Sequence, residues 1–120
     1  MRKLLPILAI AAVLLLMAAP AFAAEDHTCD HTGDPIVVLH HCVEHAYEMG
    51  RITSKGVRDS LLAKLDAAQA AQDGGNNRAA INMLLAFINE VNAQTGKAIG
   101  AEHAGHLLEH ANSVIGALGD

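Results

Sequence analysis

Hydrophobic and polar positions divide the chain into three regimes. Nineteen of the first 23 residues are hydrophobic and no charge interrupts Leu4 to Ala24. Residues 24–34 are polar and show no apolar period. From Pro35 onward apolar residues recur three and four positions apart, the period of helices that bury one face.

The third regime resolves into four helices. Asp34 before Pro35 is a helix start: the carboxylate accepts amide hydrogens, and proline sits in the first turn, where its missing donor is harmless. Ile36, Leu39, Val43, Ala46 and Tyr47 then mark a stripe that ends at Gly50. A second start at Thr53 or Ser54 leads into Val57, Leu61, Leu65, Ala68 and Gln72, widened by Leu62 and stopped by Gly74 and Gly75. Asn76 or Asn77 caps a third helix whose face carries Ile81, Leu84, Leu85, Ile88 and Val91, ending at Gly96. The fourth runs from about Gly100 or Ala101 to Leu118 and turns Ala104, Leu107, Leu108, Ala111, Val114, Ile115 and Leu118 inward. Short links between helices of this length predict an all-α antiparallel four-helix bundle over residues 35–120; the competing layout is a three-helix core with a loosely attached first helix.

The first regime reads as a signal peptide over residues 1–23. Met1, Arg2 and Lys3 form the charged start, Leu4 to Met17 the apolar stretch, and Ala21, Phe22 and Ala23 a small-x-small cleavage site. The expected product is secreted or periplasmic, with no membrane association once the leader is gone. Composition takes a different meaning after this removal. The 120 residues are 52% hydrophobic, but the remainder falls to about 44%, ordinary for a globular domain. Tryptophan is absent and only Tyr47 and Phe87 remain as aromatic residues, which points to a small aliphatic core rather than a deep catalytic cleft. Loss of Arg2 and Lys3 moves the formal net charge from −5 to −7, which excludes nucleic acid as a partner near neutral pH.

The helical stretches carry a resemblance. Ser60 to Gln69 (SLLAKLDAAQ), Ala79 to Asn82 (AAIN), Ala86 to Ile88 (AFI), Val91 to Lys97 (VNAQTGK) and Ile99, preceded by Glu48 to Val57 (EMGRITSKGV), resemble the helical FIMAH module over about Ile36 to Leu118. Such modules usually sit at the C-terminal end of larger secreted microbial proteins, including polysaccharide-degrading enzymes and proteases. The resemblance implies an accessory or interaction unit and carries over no catalytic residue. This chain adds a Cys/His arm over residues 24–34 and histidines on its first and last helices, where an individual function is expected to lie.

Cys29 and Cys42 are the only cysteines. Export makes an intramolecular disulfide the leading reading, since the arm can fold back roughly 12 Å to reach a residue two turns into the helix. Metal ligation and free or intermolecular thiols are the alternatives. The eight histidines fall into three groups: His27 and His31 beside Cys29; His40, His41 and His45 around Cys42; and His103, His106 and His110 on the last helix. His41 and His45 sit about 40° apart, and the last three span about 60°, so both helices offer imidazole pairs for zinc, copper or nickel. The metal candidates are therefore His41, His45, His103, His106 and His110, set against a solvated polar face that happens to use histidine. His41 and His45 fall opposite the apolar stripe of their helix, whereas His40 flanks it and would lie level with His110 in a closed antiparallel bundle.

No Gly-x-Ser-x-Gly turn, phosphate-cradling glycine loop or Cys-x-x-Cys-His attachment is present. The expectation is a non-enzymatic exported module, without a resident cofactor, that binds a protein or cell-surface partner. The alternative is a histidine-rich metal-binding protein of the same compartment.

Overall fold

The computed structural model describes Cys29 and residues 32–119; the leader, His27 and His31 lie outside the described residues. Four helices follow in order: α1 (Pro35–Glu48), α2 (Lys55–Asp73), α3 (Asn77–Gln94) and α4 (Ala101–Gly119). Three starts are set by side-chain caps. An Asp34 carboxylate oxygen accepts from the Ile36 amide at 2.9 Å, Ser54 Oγ from Val57 at 3.2 Å, and Asn76 Oδ1 from Ala79 at 3.0 Å. Each satisfies one of the amides that a helix leaves open in its first turn.

The helices pack as an antiparallel bundle, each on its neighbour in sequence, with α1 also resting on α4 to close the ring. The α2–α3 pair is the most intimate seam and α1–α4 the least. Fully buried Ala68 and Ala80 allow the close approach of α2 and α3. The first helix is a full member of the core, since Ile36, Leu39 and Val43 are at most 1% exposed. The three-helix alternative is therefore not the arrangement adopted. None of the described helices is long and apolar enough to cross a membrane.

One end of the bundle is sealed by its loops. The α1–α2 link donates from the Thr53 amide to the Ala98 carbonyl at 2.9 Å, and the Gly100 amide returns a bond to the Arg51 carbonyl at 3.0 Å. These bonds turn Ile52 and Ile99 inward, 1% and 0% exposed, as a lid on the aliphatic core. At the other end the Asn77 side-chain amide donates to the Leu118 carbonyl at 3.4 Å, and Gln69 donates to Asp34 at 3.3 Å and Asp73 at 2.9 Å. Trimming the lid by one methyl group, Ile52→Val, is expected to lower stability by about 0.5–1.5 kcal/mol, read as a shift in the urea midpoint at unchanged slope. A variant indistinguishable from the parent would show that the loops do not close the core.

Two stripes are rotated from the sequence reading. On α3 the buried residues are Ala80, Leu84, Phe87 and Val91, while Ile81 and Ile88 are half-buried and Leu85 is 45% exposed. The face turns by about 65° to bring the only large ring of the last three helices to the centre. On α1 the buried set adds Val38 and Cys42, while Tyr47 is only half-buried. This turns the stripe about 45° toward α4. Tyr47 instead lies beneath the Arg58 guanidinium, 4.3 Å from its ring centre, a contact between α1 and α2. Arg58 also pairs with Asp59 at 2.7 Å. Hydrogen bonds from Lys55 and Arg58 hold the Asp59 carboxyl below the usual carboxylate range.

Candidate functional site

The weakest seam opens into a groove. Between α1 and α4 lies a cavity of about 530 Å³ whose floor is formed by Val38, Cys42 and Ala46 of α1 and Leu107 and Val114 of α4. Its rim carries His45 from α1 and His103, His106, Glu109, His110 and Ser113 from α4. The volume falls within the range of small-ligand and side-chain pockets.

Helical spacing builds both walls. On α1, residues 38, 42 and 46 recur every four positions, so Val38, Cys42 and Ala46 stack along one edge of the buried stripe, with His45 beside them. On α4, the inward residues Ala104, Leu107, Ala111 and Val114 are flanked on the α1 side by positions 103, 106, 110, 113 and 117. That flank is half solvated, which suits imidazole, hydroxyl and methyl side chains better than large apolar ones. His103 and His106 meet edge to face with ring centres 6.2 Å apart.

The arm is fastened to this groove. Cys29 and Cys42 form a disulfide across a Cα separation of 5.5 Å, and both line the cavity. The chain reaches α1 through Gly33, whose φ of +121° is a conformation that side-chain-bearing residues rarely adopt. The disulfide reading of the two cysteines is thus the one realised. It also removes both sulfurs as free thiolate ligands among the described residues.

The histidines separate into two faces. His45, His103, His106 and His110 share the groove, whereas His41 is exposed and outside it. His40 does not meet His110. Its Nε2 lies 3.2 Å from Asp66 Oδ1 on α2, and its Nδ1 lies 3.9 Å from Glu44. The cause is the rotation of α1: with Val38 and Cys42 buried, His45 borders the α4 side of the stripe and His40 the α2 side. Expectations that His45 faces water and that His40 approaches the last helix are both overturned by this turn. As the side chains stand, no three His, Cys, Asp or Glu groups among the described residues are arranged to hold a metal ion.

Sequence reasoning did not single out Val38, Glu109, Ser113 or Ala117 as groove residues. The spacings 38–42–46 and 103–106–110–113–117 are the signals that would have found the two walls. Gln69 is half-buried, ties α2 to the Asp34 cap, and leaves its Oε1 buried without a hydrogen-bond partner.

Comparison with known proteins adds one match and two silences. A family model described as the FIMAH domain matches residues 38–116, from the second turn of α1 to near the end of α4. Cys29 and the arm lie outside the matched span, while Cys42 lies inside it. No curated protein and no solved structure matches the chain.

Proposed function

The chain belongs to the FIMAH domain family, and from that membership we propose that it is a non-enzymatic, exported accessory module that docks a protein partner in the groove between α1 and α4. The groove itself carries the reading: the α1–α4 seam is the least closely packed of the four and leaves an apolar floor open beneath a polar rim. Such a surface suits a partner segment that inserts one or two apolar side chains between the helices. Neither Tyr47 nor Phe87 lines it, so the aromatic platform on which sugar rings stack is missing from the groove lining, which favours protein over polysaccharide. Export accords with the disulfide.

The test immobilises the exported protein and captures partners from the fluid of the producing culture. Ser113→Arg and Ala117→Arg fill the groove at exposed positions without touching the core. The captured protein is expected to be lost with either groove variant and retained with Leu85→Glu, which alters an exposed residue of α3. Retention by the groove variants together with loss through Leu85→Glu would move the docking face elsewhere.

A further inference from the structure

We infer that the docked partner segment is acidic and that its capture is acid-gated: the groove binds a carboxylate-bearing peptide with an apolar centre when its rim imidazoles are protonated, and releases it as they lose their charge. The inference rests on the docking reading of this groove and adds to it the partner's chemistry and the condition for binding.

The charges of the lining are almost all conditional. His45 stands on the α1 wall and His103, His106 and His110 on the α4 wall; Glu109 is the one carboxylate, and no lysine or arginine among the described residues takes part. The arm contributes Cys29 and Gly33, neither of which titrates, since the sulfur is held in the disulfide. Imidazole is the side chain that ordinarily changes charge between pH 5 and 8. The formal charge of the lining therefore runs from −1 with neutral imidazoles to +3 with protonated ones. No ring has to leave its present contacts, because protonation adds charge where each already stands. Solvent reaches them all: His106 is exposed and the other three are half-buried.

A carboxylate-bearing segment is the occupant that fits this set. Protonated imidazole donates from both ring nitrogens, and the Ser113 hydroxyl adds a donor on the same rim. A basic segment would find a single carboxylate and would be repelled on acidification. The floor of Val38, Cys42 and Leu107 takes up aliphatic side chains, which a bare polyanion lacks. With ring centres 6.2 Å apart, His103 and His106 repel one another once both are charged, and a bound carboxylate offsets that cost. Near neutral pH the chain's formal net charge of −5 opposes an acidic partner; with its eight histidines protonated that opposition is gone. Because the anion prefers the protonated groove, binding must take up protons.

The experiment titrates two fluorescent hexapeptides, a leucine pair flanked by glutamate pairs or by lysine pairs, with the disulfide-bonded protein at about pH 5.5 and about pH 7.5, where glutamate stays ionised. The glutamate peptide is expected to bind at least about tenfold more tightly at the lower pH, since two exposed ion pairs of up to about fivefold each suffice. Calorimetry in buffers of different ionisation enthalpy should register proton uptake on binding. His45→Gln and His106→Gln should each shrink the pH ratio by about two- to fivefold. His41→Gln, exposed and outside the groove, should leave it unchanged, with circular dichroism constant throughout. No binding of the glutamate peptide at the lower pH, a flat pH profile, tighter binding of the lysine peptide, or an equal response to His41→Gln overturns the acid gate. Ser113→Phe, a neutral block of the groove, separates this outcome from failure of the docking reading. Loss of the captured exported protein in that variant, together with a flat peptide profile in the parent, refutes the acid gate and leaves docking in place. Glutamate-peptide binding that survives the block lies elsewhere and refutes the inference, whereas survival of the captured protein refutes docking itself.

Discussion

Phe87→Ala is expected to destabilise the bundle by about 3–5 kcal/mol, the largest single effect in this chain. Phe87 is fully buried, stands at the centre of the rotated α3 stripe, and is surrounded by aliphatic side chains from neighbouring helices. Removing its ring leaves a void that the aliphatic core cannot fill, because helices joined by short links cannot collapse far toward one another. Against the 5–15 kcal/mol that holds a typical domain together, the loss brings so small a domain near unfolding at ordinary temperature. Leu84→Ala should follow at about 2–5 kcal/mol. Leu85→Ala, at an exposed position on the same helix, should stay within about 0.5 kcal/mol. Urea unfolding of the three variants checks the order. Equal losses at positions 85 and 87 would place the stripe back where the apolar period alone puts it.

Loss of the Cys29–Cys42 disulfide is the second large effect. The bond spans a sequence separation of 13, and closing a loop of about 14 residues stabilises by roughly 3 kcal/mol in the chain-entropy treatment. Cys29→Ala removes the bond at its half-buried end and leaves Cys42 as a small apolar side chain in the core, so little packing is lost with it. Beyond the global midpoint, the consequence should be local. Amide exchange ought to accelerate most along α1, whose contact with α4 is the weakest in the ring, and least along the α2–α3 pair. Thiol labelling of unreduced protein provides the prior check. Two reactive thiols there, or identical midpoints with and without reductant, would contradict a stabilising bridge.

The helix ends were legible in the sequence because they are local chemistry. Asp34 with Pro35, Ser54 and Asn76 each answer an open first-turn amide within three residues, and no distant contact is needed to place them. The rotation of each helix was not legible to the same degree. Between Ala79 and Ile88, α3 carries apolar residues around most of its circumference, so periodicity permits several faces. Volume and the partners on either side decide among them, and Phe87 takes the centre. On α1 the same ambiguity hid Val38 and Cys42, and with them the turn that brings His45 to the groove and His40 to Asp66. Ile52 and Ile99 lie in loops, where no period marks an inward residue; only the pairing of the two loops across the bundle end turns them in. The alternation of histidines along α4 was visible from the start, whereas the wall opposite them was not.

The central claim is that the open seam between α1 and α4 is the working face of this module. A photo-cross-linking residue placed at Ser113, inside the groove, and separately at Asn82, an exposed position on α3, tests it directly in the producing culture. The account predicts a discrete covalent adduct to one exported protein from position 113, competed away by unlabelled parent protein, and none from position 82. An adduct from position 82 alone, with position 113 silent in a correctly folded, disulfide-bonded protein, would contradict it.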